Sequence, residues 1–349
     1  MTTSGNILRV GIVGCGEISK AHLKAWSRLG DAQVNAVCDL NIQLAKDVAH
    51  KWRVPSFYQD FSQMLENEDL TILSVCTPPK VRSQVVLPAA ERGIHVIVEK
   101  PFALTVGEAD KMLEAAKLNG VNLTVVHSYL WLPVVKEAIS IVQEGKIGTV
   151  SGLDIRLISD GKDHMTQDKD HWCHRLPGGR FGEALPHPIY IAMELLGDLE
   201  LLSVYATKLG ECPWVRHDEH RVILRSSKGS FASIYNSFNT SRRSVYLDIY
   251  GSEGIIQANL RNNTLVVRKQ RNPESIVRVG LDNISFSAHY LKSFLVNSFR
   301  SIRQRGPHKP IIKSFVRSIR NDTASPVPEH KAREVVRIFE QICHRIAEQ

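Results

Sequence analysis

Gly11-Ile12-Val13-Gly14-Cys15-Gly16-Glu17-Ile18-Ser19, directly after Ile7-Leu8-Arg9-Val10, decides how this chain is read. An apolar, β-branched run that breaks at closely spaced glycines and continues into a helical pattern is the context a dinucleotide fingerprint requires. Gly14 is expected to make the tight turn out of the strand. Gly16 leaves room for a pyrophosphate to approach the backbone, its charge facing the N-terminus of the next helix. Ser19 takes the place where a third small residue permits close packing. Gly11, Glu17 and Ile18 complete the expected cofactor-binding loop.

Working outward, Val34-Asn35-Ala36-Val37-Cys38 reads as a second strand ending at Asp39. That is about the 20-residue spacing at which an acid accepts hydrogen bonds from a ribose diol. A carboxylate there repels a 2′-phosphate and no base follows it before Lys46, so NAD is expected rather than NADP. Strand and helix signals then alternate: a helix from Ile42 to Lys51, a strand from Leu70 to Cys76, a helix from Arg82 to Glu91 and a strand from Ile94 to Val98. Thr105 reads as the cap of a helix running to Leu118, with Glu108 completing a capping box and Gly120 stopping it. The strand Val121 to Val126 closes a repeated βα unit, which winds into a parallel sheet with ligands beyond its carboxyl ends. Thr77-Pro78-Pro79 and Glu99-Lys100-Pro101 both stand at such ends and are expected to line one cleft.

From about Thr149 the pattern changes to alternating runs at Leu201 to Leu209, Arg221 to Ser226, Phe231 to Asn239, Val245 to Tyr250 and Ile255 to Leu260. These read as a mostly antiparallel sheet in a separate α+β domain. A chain of 349 residues exceeds the size at which single cores stop growing. The expected division is a Rossmann domain over 1–126 and a substrate-binding and oligomerisation domain over 127–349, with the helix 329–347 packing back on the first. Ahead of the strands, Gly178-Gly179-Arg180-Phe181-Gly182-Glu183-Ala184-Leu185-Pro186-His187 leads into an apolar helical stretch. Glu183 and His187 are four apart, a spacing that projects both from one helical face.

The glycine opening (Gly11, Gly14, Gly16, with His22 slightly shifted), the Glu99-Lys100-Pro101 triplet and the acid–histidine pair after Gly178-Gly179 resemble the Gfo/Idh/MocA family of sugar and cyclitol oxidoreductases. The resemblance spans nearly the whole chain. It implies a Rossmann domain followed by an open-faced sheet domain, an active site formed between them, and oxidation or reduction of a sugar-ring hydroxyl or carbonyl. Two departures stand out. Glu183 replaces the aspartate common in the family, and Arg82 stands near the Thr-Pro pair where many members carry histidine.

Hydride leaves a carbinol carbon only as its hydroxyl proton is removed, so the site needs a neutral base within reach of that oxygen. His187 suits that task. Lys100 would stabilise the alkoxide through charge-assisted hydrogen bonds, or carry the proton itself in a desolvated cleft. The residue types leave that assignment open. Glu183 is expected to orient the histidine or bind a neighbouring hydroxyl. Tyr129, Trp172, Arg175 and Arg180 are expected to contact substrate, the aromatic rings stacking on a sugar face and the guanidinium groups meeting a phosphate or carboxylate. His171-Trp172-Cys173-His174 matches no common structural zinc spacing, and no metal is expected. A silent NAD- or sugar-sensing protein, and an enzyme recycling tightly bound NAD during elimination or epimerisation, remain the alternatives.

The net charge of +8 is concentrated late, at Arg300, Arg303, Arg305, Lys309, Lys313, Arg317 and Arg320. With the helical apolar spacing of Tyr290 to Phe299 before it, the 290–320 segment reads as an amphipathic insertion that packs in a homo-oligomer, dimer or tetramer, more readily than on a membrane. No aromatic residues interleave with this charge, so a nucleic-acid partner is not expected. The start, Met1-Thr2-Thr3-Ser4-Gly5-Asn6, lacks the basic and apolar regions of a signal peptide, and the six cysteines are scattered, so a cytoplasmic protein with reduced thiols is expected.

Overall fold

A computed structural model describes residues 7–269, 276–304 and 306–349. The expectations for the chain start and for Arg305 lie outside them. In chain order the elements are β1 (Leu8–Val13), α1 (Ser19–Trp26), β2 (Ala32–Cys38), α2 (Ile42–Trp52), β3 (Ser56–Tyr58), α3 (Phe61–Asn67), β4 (Ile72–Val75), α4 (Arg82–Glu91), β5 (His95–Val98), α5 (Val106–Leu118) and β6 (Leu123–Val125). There follow α6 (Pro133–Gln143), β7 (Val150–Asp160), α7 (His164–Gln167), α8 (Gly179–Ala184), α9 (Pro186–Leu196), β8 (Leu199–Thr207), β9 (Glu219–Ser226), β10 (Phe231–Ser237), β11 (Asn239–Gly251), β12 (Gly254–Asn259), β13 (Thr264–Lys269), α10 (Ile276–Gln304), α11 (His308–Arg320) and α12 (Glu329–Ala347).

The chain divides into two compact units, residues 1–128 with 306–336 and residues 129–305 with 337–349. The first unit takes in residues 306–336 because α11 carries Ile311, Ile312 and Phe315 buried and packs on β5 and α1. The last helix likewise gives Glu329–Val336 to the first unit and its remainder to the second.

The first unit holds a parallel sheet in the order β3-β2-β1-β4-β5-β6, the doubly wound arrangement. Local chemistry explains its helix starts. Asn41 accepts the Gln43 and Leu44 amides, and Thr105 accepts the Glu108 amide while Glu108 Oε2 accepts the Leu104 amide at 3.1 Å. One donor that α5 leaves unsatisfied, the Glu108 amide, is thereby closed, and with it the Leu104 amide just ahead of the cap. β3 and α3, three and seven residues long, carry too few apolar repeats to be read from sequence.

The second unit holds a seven-stranded sheet, β13-β12-β11-β7-β10-β9-β8, antiparallel except where β7 runs beside β10. Its central strand β7 turns Leu153, Ile155 and Leu157 inward, with Asp154 and Arg156 on the other face. Among the described residues, no helix is long and apolar enough to cross a membrane. All six cysteines carry free thiols, five of them buried.

His220 lies in this second core, stacked on Phe181 with ring centroids 4.1 Å apart, and its Nε2 is buried without a hydrogen-bond partner among the described residues. Burial pushes its pKa down to about 3. Between about pH 3 and 6.5 the unfolded chain therefore binds the extra proton, and stability falls as pH drops through that window. The expected result is a transition temperature that declines from pH 7 to pH 5, and a shallower decline in His220→Phe. An equal slope in both proteins, by calorimetry, would remove His220 as the cause.

Candidate active site

The fingerprint loop joins β1 to α1. Gly14 has φ +91°, and a Cβ there would lie 2.8 Å from the Cys76 carbonyl carbon, so only glycine fits. A Cβ on Gly16 would meet nothing within 4 Å, leaving the backbone open on the side where a dinucleotide would approach. Glu17 is exposed and paired with Lys20, and Ile18 is the N-cap of α1. Gly11 sits inside β1, where a Cβ would strike Leu70 Cδ1 at 2.6 Å, so its smallness serves sheet packing. Asp39 ends β2 with Oδ2 accepting the Cys15 amide at 2.8 Å and Oδ1 the Asn41 amide at 2.9 Å. A carboxylate has about four acceptor sites, so two remain for a ribose diol. At the end of β4, Thr77 Oγ1 and Arg82 Nη1 are buried without partners among the described residues. The open glycine, the acid and these two unsatisfied groups fit a bound dinucleotide.

Lys100 follows the last residue of this site's buried core. Glu99, 3% exposed, accepts His22 Nε2 at 2.9 Å and His308 Nε2 at 3.2 Å on one oxygen, and the Lys100 amide at 3.1 Å on the other. Burial alone would raise its pKa, but the hydrogen bonds from His22 and His308 hold it well below the ordinary carboxylate range. Burial pushes the His22 pKa down against the pull of Glu99. Ser74 Oγ accepts Trp26 Nε1 at 3.3 Å and lies 2.7 Å from His22 Nδ1. Its hydroxyl proton can then go to Nδ1, leaving the Nε2 proton of a neutral His22 for an ionised Glu99. The candidate ligand atoms of His22, Glu99 and His308 lie within 4.8 Å of one another, and the bonds just given account for them.

Arg82 holds the other side of Lys100. Its Nε and Nη2 donate to the Thr77 carbonyl at 3.1 and 2.9 Å, and Nη2 also donates to the Lys100 carbonyl at 3.2 Å. Burial pushes its pKa down to about 10, so it remains cationic near neutral pH. The peptide groups on both sides of the lysine Cα are thus bonded to buried ionic side chains. Pro78 is exposed in the same loop.

The second unit presents His187 near the start of α9. Its Nδ1 lies 2.6 Å from the Tyr190 hydroxyl, and its ring stacks on Tyr129 with centroids 4.0 Å apart. Tyr190 also accepts the Tyr129 amide at 3.0 Å. Either member of the His187–Tyr190 pair can be the donor in this bond, so the hydroxyl can serve both neutral tautomers of the histidine. Tyr190 escapes a reading by motif, although its position three residues past His187 is the helical contact spacing. Tyr190→Phe should lower kcat about tenfold, the worth of one hydrogen bond of ~1.4 kcal/mol, and displace the basic limb of the pH–rate profile. An unchanged profile would leave the hydroxyl with packing only.

Glu183 lies in α8, where its Oε2 accepts Arg180 Nη1 at 3.0 Å. Arg180, 4% exposed, also bonds Asp163 Oδ2 at 3.1 Å and lies over the Phe238 ring. Two carboxylates, Asp163 and Glu183, thus compensate the Arg180 charge where it stands. Trp172 is half-buried beside His171 in a short turn over Trp172–Arg175, with Arg175 exposed. In that turn burial pushes the Cys173 thiol up to about 12, far from the thiolate a metal needs.

A dinucleotide loop on a parallel sheet, a buried carboxylate anchoring a lysine at the next strand ends, and a histidine–tyrosine pair on a separate sheet unit define an oxidoreductase. Residues 8–127 match the family described as "Oxidoreductase family, NAD-binding Rossmann fold", and residues 135–257 match the "GFO/IDH/MocA C-terminal domain". The chain belongs to the Gfo/Idh/MocA family, and it is an NAD-dependent oxidoreductase of the sugar and polyol dehydrogenase class. It is 25% identical to myo-inositol 2-dehydrogenase from Thermotoga maritima over 327 residues, 90% of this chain and 89% of that protein. It is 27% identical over 271 residues to the uncharacterized oxidoreductase YrbE of Bacillus subtilis, 73% of this chain and 75% of that one. The WlbA dehydrogenase from Bordetella pertussis, solved with NADH and UDP-GlcNAcA, shares the fold with a TM-score of 0.83 at 20% identity, matching 99% of this chain and 97% of the other.

Proposed function

We propose that this protein exchanges hydride between NAD and a ring hydroxyl or carbonyl of a sugar or sugar derivative, with Lys100 and His187 sharing the proton and the developing alkoxide charge. The observation that carries this reading is the setting of Lys100, bonded through its amide to an ionised, buried Glu99 and through its carbonyl to Arg82. A residue fixed in this way is preorganised, so its charge does not have to be reoriented during reaction. Bound NAD supplies the hydride acceptor. Gly14 and Gly16 would hold its pyrophosphate and Asp39 its ribose, the acid favouring NAD over NADP.

His187, protonated at Nδ1 with the Tyr190 oxygen as acceptor, takes the substrate hydroxyl proton at Nε2 and becomes imidazolium, and the Nδ1–Tyr190 bond holds the ring throughout. Lys100 Nζ stabilises the alkoxide by a charge-assisted hydrogen bond. Tyr129 and Trp172 offer ring faces to the sugar, and Glu183 and Arg175 offer polar contacts at its rim. The relative named for myo-inositol and the neighbour solved with UDP-GlcNAcA support a polyol or nucleotide-linked class. A net charge of +8 suits a phosphorylated or nucleotide-linked sugar. The test is NADH formation from NAD across free, phosphorylated and nucleotide-linked sugars, with Lys100→Ala in parallel. Reduction with one class, lost in the variant, meets the expectation. Tight NAD binding with no net reduction would favour sensing or internally recycled NAD.

A further inference from the structure

The helix α10 faces the wrong way for a monomer. On the side that packs against β13 and α6 it places Ser293 and Asn297, both buried, and Gln304. Ser293 Oγ accepts the Leu265 amide at 2.7 Å, and Gln304 Nε2 donates to the Trp131 carbonyl at 2.7 Å. Toward solvent it turns Leu281 (61% exposed), Ile284 (68%), Leu291 (59%), Leu295 (59%), Phe299 (65%) and Ile302 (75%). A helix that bonds its polar face inward and shows its apolar face outward reverses the ordinary amphipathic arrangement.

The spacing of that outer face specifies what it fits. Leu281, Ile284, Ala288, Leu291, Leu295 and Ile302 follow alternating steps of three and four residues, extended at 298/299 by Phe299. Such a stripe sustained for over three heptads is a seam for another helix. α10 is 29 residues long, about 43 Å. Its exposed apolar residues amount to an area on the order of 1,000 Å², above the roughly 300–600 Å² of the largest patch on a typical monomer and near the ~800 Å² each partner gives to a stable interface.

We infer that α10 is a self-association surface, pairing antiparallel with α10 of a second copy of this chain across a two-fold axis near Leu291. Charge sets the direction. Three of the helix's four bases, Lys292, Arg300 and Arg303, stand in its second half and its one acid, Asp282, in its first. Parallel pairing would set the bases against their own copies, whereas antiparallel pairing sets them against the half that carries the acid. In the antiparallel register Leu281 meets the partner's Ile302, Ile284 the partner's Phe299, and the small Ala288 the partner's Leu295. This alternation of large and small side chains lets the seam close.

Light scattering and oxidative cross-linking test this on the full chain. The unaltered protein should have the mass of at least two chains, and Leu291→Glu combined with Leu295→Glu should halve it while NAD binding persists. Leu291→Cys should form a disulfide-linked pair absent from the unaltered protein, and Ile302→Cys should not, because antiparallel pairing carries that residue to the far end of its partner. An unchanged mass in the double variant overturns the inference, as does cross-linking at both positions, the mark of a parallel pair. A monomer that cosediments with anionic phospholipid vesicles would overturn it in favour of a membrane surface.

Discussion

Lys100→Ala is expected to lower kcat by about a thousandfold, within the range that one positioned proton-transfer or charge-stabilising group supplies. The affinity for NAD should change little, because the fingerprint loop and Asp39 stand on other strands of the sheet. The contrast between the two readouts is the informative part. The Lys100 backbone is bonded by Glu99 and Arg82, so the substitution removes a side chain without releasing the loop that carries it. Single-turnover rates measured beside NAD titrations separate the effects. A thousandfold loss of NAD affinity with an intact rate at saturation would make Lys100 a cofactor ligand and not a catalytic residue.

Arg180→Met should cost about 3–5 kcal/mol of stability, the usual consequence of leaving buried charge uncompensated. Asp163 and Glu183 both bond this guanidinium, whose side chain is 3% exposed. Burial alone would raise the Asp163 pKa, but the Arg180 charge and the Thr166 amide hold it below its ordinary value. Protonating that acid should therefore weaken the cluster only below the ordinary aspartate range, where the stability tied to its lowered pKa is lost. Denaturant unfolding of Arg180→Met at neutral pH measures the cost. A variant as stable as the parent, with KM for an anionic sugar raised instead, would return Arg180 to the substrate-binding role the sequence suggested.

The legible parts of this protein are those written locally. Gly14 and Gly16 follow a strand and precede a helix, Thr105 and Glu108 form a cap, and Glu99-Lys100-Pro101 ends a β-run. Each is decided by neighbours within a few residues, which is why the parallel sheet and its loop could be read from the chain. What sequence could not show depends on distance along it. His308 reaches Glu99 across more than two hundred residues, and no periodicity announces such a pairing. Arg180 shows the same limit in another way. A basic residue near a glycine pair suggests an anion site, yet its neutralising Asp163 lies in an earlier segment whose role only packing reveals. Gly11 reads as part of the loop because the motif includes it, but the side chains of Leu70 and Met64 decide that its job is to be small.

The return of residues 306–336 to the first unit has a consequence for how the protein comes into being. A ribosome that has released residue 128 has made the whole six-stranded sheet, yet not His308, nor Ile311, Ile312 and Phe315, the buried residues that pack α11 on the sheet's first helix and fifth strand. Glu99 waits, with one of its two histidine donors missing, while the entire second sheet is synthesised. The half of the molecule that reads first in the gene is therefore finished late, and a nascent chain halted near residue 300 would carry a nucleotide fold open along one face. Its completion is timed by residues 306–336.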